Sequence, residues 1–325
     1  MAGFLVRRIL SVVPTLIGIT LITFLLLEKL PGREMALVGT PGAGLPSVRA
    51  LEEVRRAYHF DEPVAGRYAH WVLRLARWDL GESMLEHRPV AEIIADAALP
   101  SFLLNFSALL LAFAVSIPLG VGWARRRGTA SERAGATLFL LLYAFPNFAA
   151  ALLLQQALAV RLGLLPLQGL GGVSEEAGLL VRAGDFLRHL ALPALCLSYG
   201  SLAYLTRFTR ANLLEEIGRE YLIAARARGL GERLLAWKHA LRNAAIPLLT
   251  LVGLLIPALL GGSVLIETIF SWPGLGRLYF YSLTNRDFPV ILALTTLAAL
   301  LTLGGSFLSD LLYAIADPRL RREER

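Results

Sequence analysis

REYLIAARARGLGERLLAWKHALRN, residues 219–243, is the longest charged segment between two apolar spans toward the C-terminal end of the chain. Ala224, Ala225 and Ala227 favour helix, and Gly229 is the residue expected just past a helix end, where φ can turn positive. The first helix of the segment therefore stops near Arg228. A second starts around Gly231 or Glu232, with Leu234, Trp237, Leu241 and Ala244 on one face and Arg233, Lys238 and Arg242 elsewhere on its surface. One side is apolar and the other cationic. Spacing alone admits two readings, a helix resting on anionic lipid headgroups and a protein-docking element.

The composition of the whole chain says what surrounds this segment. Of 325 residues, 56% are hydrophobic and the mean hydropathy is +0.59, far above a soluble domain of this size. The chain is an integral membrane protein. Its net charge of +7 does not point to nucleic acid, because the basic residues flank apolar runs instead of forming a stripe with interleaved aromatics. The single cysteine, Cys196, lies in an apolar run and reads as a buried free thiol.

Six runs without charge are long enough, or nearly so, to span a bilayer: Ile9–Leu27, Ala97–Ala124, Ala134–Val160, Leu190–Thr206, Asn243–Ile266 and Phe288–Ser309. The first is longer than the core of a signal peptide and no small-x-small cleavage site follows it, so it is expected to stay attached. The third carries Pro146-Asn147 near its middle, which predicts a kink whose bare carbonyl must face protein or a cavity. The fourth, at 17 residues, sits at the short limit of a span. Residues 31–98 form the one long polar region. Within it Val64, Tyr68, Trp71, Leu75 and Trp78 recur at helical spacing, with Arg67, Arg74 and Arg77 opposite. That pattern fits a helix along the membrane interface or one packed on a neighbouring span.

Lysine and arginine counts orient the six-span arrangement. With the N-terminus in the cytoplasm the inner segments carry 18 basic residues and the two short outer loops five, while the long 31–98 region is largely exempt from the rule. Both termini are expected inside. The 219–243 loop is then cytoplasmic.

The residues of that loop carry a resemblance. Ala224-Ala225, Gly229 four residues on, and His239-Ala240-Leu241-Arg242-Asn243 resemble the EAA motif of ABC-importer permeases, in the form found in dipeptide and oligopeptide permeases. Three further blocks are similar to the same family in the same order: Asp79–Ser83 with Arg88-Pro89-Val90, Glu267–Gly276 continuing to Arg286–Val290, and Asp310–Ala314 with Asp317-Pro318-Arg319. Trp78 and Arg33 depart from it, standing where the family often has glycine and aspartate. The resemblance implies an all-α membrane protein, a single permease domain over residues 1–325. It would have six transmembrane helices, an extracytoplasmic subdomain of short helices at 31–98 and a cytoplasmic coupling loop at 219–243. It implies partners too: a second homologous permease, two cytoplasmic ABC ATPases that bind the ATP and Mg, and an extracytoplasmic substrate-binding protein, in a heteromeric complex of the cell membrane. Glu220, Ala224, Ala225, Arg226, Arg228, Gly229, His239, Leu241 and Arg242 would form the ATPase-coupling loop. In that reading the two alanines are small because the ATPase cleft wall comes close, and Arg226 and Arg228 meet acidic or carbonyl groups of the partner. Gly253, Pro257, Gly261, Gly262 and Ser263 are a candidate translocation path, against simple helix packing through small residues.

Absent motifs narrow the energy source. No G-x-x-x-x-G-K-[ST] phosphate loop occurs, so this chain does not bind ATP that way, and the five scattered histidines hold no zinc or metalloprotease spacing. No cofactor is expected in the chain. The charge-free runs weaken an ion-coupled secondary transporter, the alternative, which needs an ionisable group near the midplane and an inverted repeat. A membrane-embedded enzyme would need a catalytic pair inside a span, and none is present.

Overall fold

The structure, a computed structural model, describes residues 2–29, 62–174 and 176–316. Among these, regular structure is helical apart from one isolated antiparallel bridge between Glu82 and Pro89. The elements are α1 (Ala2–Glu28), α2 (Val64–Ala76), α3 (Val90–Arg125), α4 (Ala130–Ala144), α5 (Asn147–Leu154), α6 (Leu179–Ile217), α7 (Glu220–Ala227), α8 (Glu232–Leu234), α9 (Leu241–Gly261), α10 (Val264–Ile269), α11 (Leu275–Asn285) and α12 (Phe288–Ala316). A wide π turn, Gln155–Arg161, prolongs α5, and another, Leu235–Ala240, joins α8 to α9. Among the described residues, α3 and α12 are each long and apolar enough to cross a membrane unaided, and α4 with α5 makes a third if the bent pair is one span.

Parallel packing of α3 on α6, from Leu104 and Ala108 beside Leu190 and Ala194 to Val121 and Ala124 beside Leu213, is the frame of the bundle and the most extensive helix contact among the described residues. Ala108, Ala112, Ser116 and Gly120 recur every fourth residue on the buried face of α3, so the two backbones approach closely. A Cβ at Gly120 would lie 2.7 Å from Thr209 Cβ, which leaves no room for a side chain there. The start of α4 is tied to the same pair. The N-cap Thr129 hydroxyl accepts from the Glu132 amide at 3.3 Å, and Glu132 accepts from the Gly128 amide just before the cap at 2.7 Å, while the Glu132 carboxylate also pairs with Arg210 of α6. α12 packs on α9 and α1.

At four places the structure sharpens or corrects what the sequence implies. The fourth run, Leu190–Thr206, is the core of a longer helix, since α6 runs 39 residues through Pro193 and continues past Arg207 and Arg210. The third is no single kinked helix: α4 and α5 meet at 98° across Phe145-Pro146, because Pro146 removes a backbone donor and leaves Phe145 extended. The fifth span stops at Gly261, where Gly262 takes φ +65° and the chain turns into α10. Finally, α2 packs through Val64, Tyr68 and Trp71 onto Phe24, Leu27 and Phe288. Arg67, expected on the outward face, pairs with Glu28, and Trp78 leaves the apolar stripe because the helix has ended two residues before it.

Candidate functional site

Residues 219–243 emerge where α6 ends, and a chain of hydrogen bonds fixes their departure. Glu216, buried on the last turn of α6, binds the Arg219 guanidinium at 2.8 Å and accepts from Tyr221 Oη at 2.7 Å. Asn243 on α9 donates to the same phenol oxygen at 2.8 Å. Burial, followed by the bond to Glu216, raises the Tyr221 phenol above its ordinary pKa, so it stays a neutral donor. The two ends of the loop are thereby bolted together. Beneath them Leu222, Leu235, Ala236, Ala240 and Ala244 pack with Val121, Ala124 and Leu213 into one cluster.

The end of α7 is a Schellman motif. Leu230 N–H bonds the Ala225 carbonyl at 3.4 Å, Gly229 N–H bonds the Arg226 carbonyl at 3.0 Å, and Gly229 sits at φ +88°. Leu230 and Ala225 both pack on the cluster below, which completes the apolar contact of the motif. A Cβ at Gly229 would meet nothing within 4 Å, so glycine is needed there for its backbone alone.

Side-chain directions revise the expected docking face. Ala225 is turned inward onto the protein's own core, whereas Ala224, Ala227, Arg228 and Ile223 (52% exposed) are open. Arg226, expected to meet a partner, reaches across the turn to Glu232 at 2.5 and 3.1 Å, and this hydrogen-bonded guanidinium holds the Glu232 carboxyl below its usual range. Glu220 and Arg242 are exposed; His239 and Leu241 are half-buried.

The second half of the segment also departs from its periodicity. Leu234 and Trp237, on the apolar face counted from spacing, are 47% and 41% exposed and with Arg233 line an open hollow of about 540 Å³. Leu235, Ala236 and Ala240 are buried instead. The π turn is the cause: its wider turns shift the register by one residue, so a spacing counted at 3.6 per turn picks the neighbouring face.

A second constellation, at the other end of the bundle, surrounds Glu267. This carboxylate is 0% exposed. Oε1 accepts from Ser101 Oγ at 2.8 Å and the Ser263 amide at 3.0 Å, and Oε2 accepts from the Arg277 amide in the first turn of α11 at 3.0 Å. Ser101 Oγ accepts in turn from the Leu275 amide at 2.7 Å. Trp272 is also 0% exposed and donates its indole N–H to the Pro100 carbonyl at 2.9 Å. Three glycines admit the carboxylate: a Cβ at Gly262, Gly274 or Gly276 would come within 2.4–2.7 Å of neighbouring atoms. Gly262 and Ser263, expected along a translocation path, are therefore parts of this knot; Gly261 is exposed beside it, and the side-chain surroundings of Gly253 and Pro257 lie outside the described residues. A cleft of about 470 Å³ opens next to the knot, between Arg88, Asp96, Pro273, Arg277 and Tyr281.

Sequence reasoning missed Glu267, Ser101 and the Glu216–Tyr221–Asn243 chain. An acidic residue four places after Ser263, followed by Gly274 and Gly276, was the available signal for the first two.

Two family models match the chain. One, "Binding-protein-dependent transport system inner membrane component", matches residues 116–322, and its N-terminal companion matches residues 1–103. The chain is 37% identical over 321 residues to the oligopeptide transport system permease protein AppB of Bacillus subtilis, covering 98% of this chain and 99% of that protein. It is 34% identical to the glutathione transport system permease protein GsiC of Escherichia coli K12, covering 99% of each. With both family models in chain order, and relatives at 34–37% identity that match over 98–99% of the chain, this protein belongs to the inner-membrane permease components of binding-protein-dependent ABC transporters.

Proposed function

We propose that this permease forms half of the translocation pathway for di- or oligopeptides, or for a related small solute such as glutathione, and is driven by separate ATPases through residues 219–243. The observation that carries this reading is the two-sided character of α7. Its inner face and its ends are locked onto α3, α6 and α9, while Ile223, Ala224, Ala227 and Arg228 remain open at the tip of the bundle. A push on α7 is thus passed to three long helices at once. Six spans are assigned to α1, α3, the α4–α5 pair, α6, α9 and α12 of one permease domain, with both termini and α7 in the cytoplasm and residues 31–98 outside. A second permease, two ATPases and an extracytoplasmic binding protein complete the assembly. ATP-driven closure of the ATPases would draw the two α7 helices together and open the cavity outward; hydrolysis would reset it.

Topology is tested by cysteine labelling in whole cells. A cysteine replacing Arg233 is expected to react only after permeabilisation, and one replacing the exposed Trp78 to react without it. Gly274 is unsuitable for such a probe, since it has no space for a side chain. Transport is tested with the assembled transporter in vesicles. Uptake of a short peptide is expected to require ATP, the ATPases and the binding protein together. Uptake driven by a proton or sodium gradient without ATPase would favour the ion-coupled alternative, against which the buried carboxylates Glu132, Glu216, Glu267 and Asp287 all lie outside the charge-free runs.

A further inference from the structure

The bend between α4 and α5 is out of keeping with its surroundings. The charge-free run begins at Ala134, so an upright α4 brings Phe145 about 17 Å into a hydrocarbon layer some 30 Å thick. There the helix turns by 98°. A broken helix leaves last-turn carbonyls and first-turn amides without intrahelical partners. Among the described residues, the Phe145 carbonyl is the one group at the bend that gains a side-chain partner, the Tyr199 hydroxyl on α6. Asn147 adds a polar side chain at the same place. Irregular backbone at this depth is tolerated where protein or a water-filled cavity covers it, and lipid cannot satisfy it.

Exposure around the bend adds to this. Every residue from Leu140 to Phe148 is exposed, nine in succession, although α6 touches the segment through the Tyr199 hydroxyl. A span that merely borders lipid looks different: along α1, exposed Ile22 and Leu26 alternate with buried Phe24 and Leu27. The bare segment includes Leu140, Leu141, Tyr143, Phe145 and Phe148 and has no charge, which suits an apolar partner inside the bilayer and excludes a water-soluble one.

We propose that the elbow Leu140–Phe148 is buried in the assembled transporter against a second permease chain of the same fold. This rests on the importer reading, in which the second permease is the one partner embedded at that depth. The partner covers the broken backbone and supplies the hydrogen bonds that lipid cannot.

A photoreactive benzophenone amino acid placed singly at Leu141, Tyr143 or Phe148 tests this in native membranes carrying the whole transporter. These side chains are exposed, so the probe disturbs no packing within the chain. Irradiation is expected to give an adduct with another permease chain, identified by mass spectrometry, in at least tenfold higher yield than a probe at Ile22. Adducts with lipid only, with an ATPase or with the binding protein overturn the proposal, as does an elbow left unreacted and open to water-soluble reagents. In parallel, Leu141→Arg is expected to reduce co-purification of the second permease more than tenfold; unchanged co-purification would also overturn it. ATPase co-purification from the same preparations separates the two readings. A permease adduct without bound ATPase leaves the elbow standing and the importer reading in difficulty, whereas bound ATPase without the adduct does the reverse.

Discussion

Replacing Glu267 by alanine is expected to collapse the yield of folded permease and to lower the melting temperature of what remains by several degrees. The carboxylate is the acceptor for the Ser101 hydroxyl and the Ser263 and Arg277 amides, and it is fully buried. Its removal strands these donors where water does not reach. An unsatisfied buried donor costs about 1–3 kcal/mol, so the loss is at least ~3 kcal/mol before any cavity is counted. Glu267→Gln should be milder, since one acceptor oxygen is kept, but its amide NH₂ must then face a backbone donor. Gly276→Val should resemble the alanine variant for a different reason. A Cβ there would sit 2.7 Å from the Ser263 carbonyl carbon and the Val264 amide, and backbone cannot move aside as a side chain can. Thermal melting of the detergent-purified proteins measures all three; a wild-type melting curve for Glu267→Ala would mean that the knot does not hold α3, α9 and α11 together where they meet.

The second large effect is expected at α7, on transport and not on folding. Ala224→Glu places a charge on the open face, and Gly229→Val puts a β-branched residue at φ +88°, where backbone strain costs about 1–2 kcal/mol. Neither alters a span. Both proteins should insert and melt much as the wild type does, while uptake and substrate-stimulated ATP hydrolysis fall at least tenfold, equivalent to losing about 1.4 kcal/mol of coupling. Ala225→Glu is a different experiment, because Ala225 packs beneath the Schellman turn and a glutamate there would damage the chain's own core. If α7 simply rested on lipid headgroups, Ala224→Glu would leave uptake nearly normal. That result in reconstituted vesicles would remove the coupling assignment.

Much of this protein was legible because some of its physics is local. Charge-free runs mark apolar helices wherever they fall in the chain, since burying apolar residues in a membrane or a core depends on their own chemistry. The Gly229 turn was equally readable, as left-handed backbone favours glycine whatever lies nearby, and the structure places it at φ +88° as the cap of α7. Side-chain direction was not legible to the same degree. Leu234 and Trp237 share the apolar face with Leu241 and Ala244 by spacing, yet Leu235, Ala236 and Ala240 are the residues packed inside, because one wide turn at Leu235–Ala240 shifts the register and no residue in that turn announces it. Ala224 and Ala225 are adjacent and identical in type, yet one is open and the other packed, a distinction set by the cluster under α7. Pro146 marked the break in the third span, but its 98° and its bare surroundings depend on where α6 and α10 hold α5. Glu267 lay in a block quoted from the sequence, and its role still could not be read there. Its partners include a serine 166 positions earlier, and a carboxylate becomes a structural acceptor only once tertiary packing removes water and brings such distant donors within 3 Å.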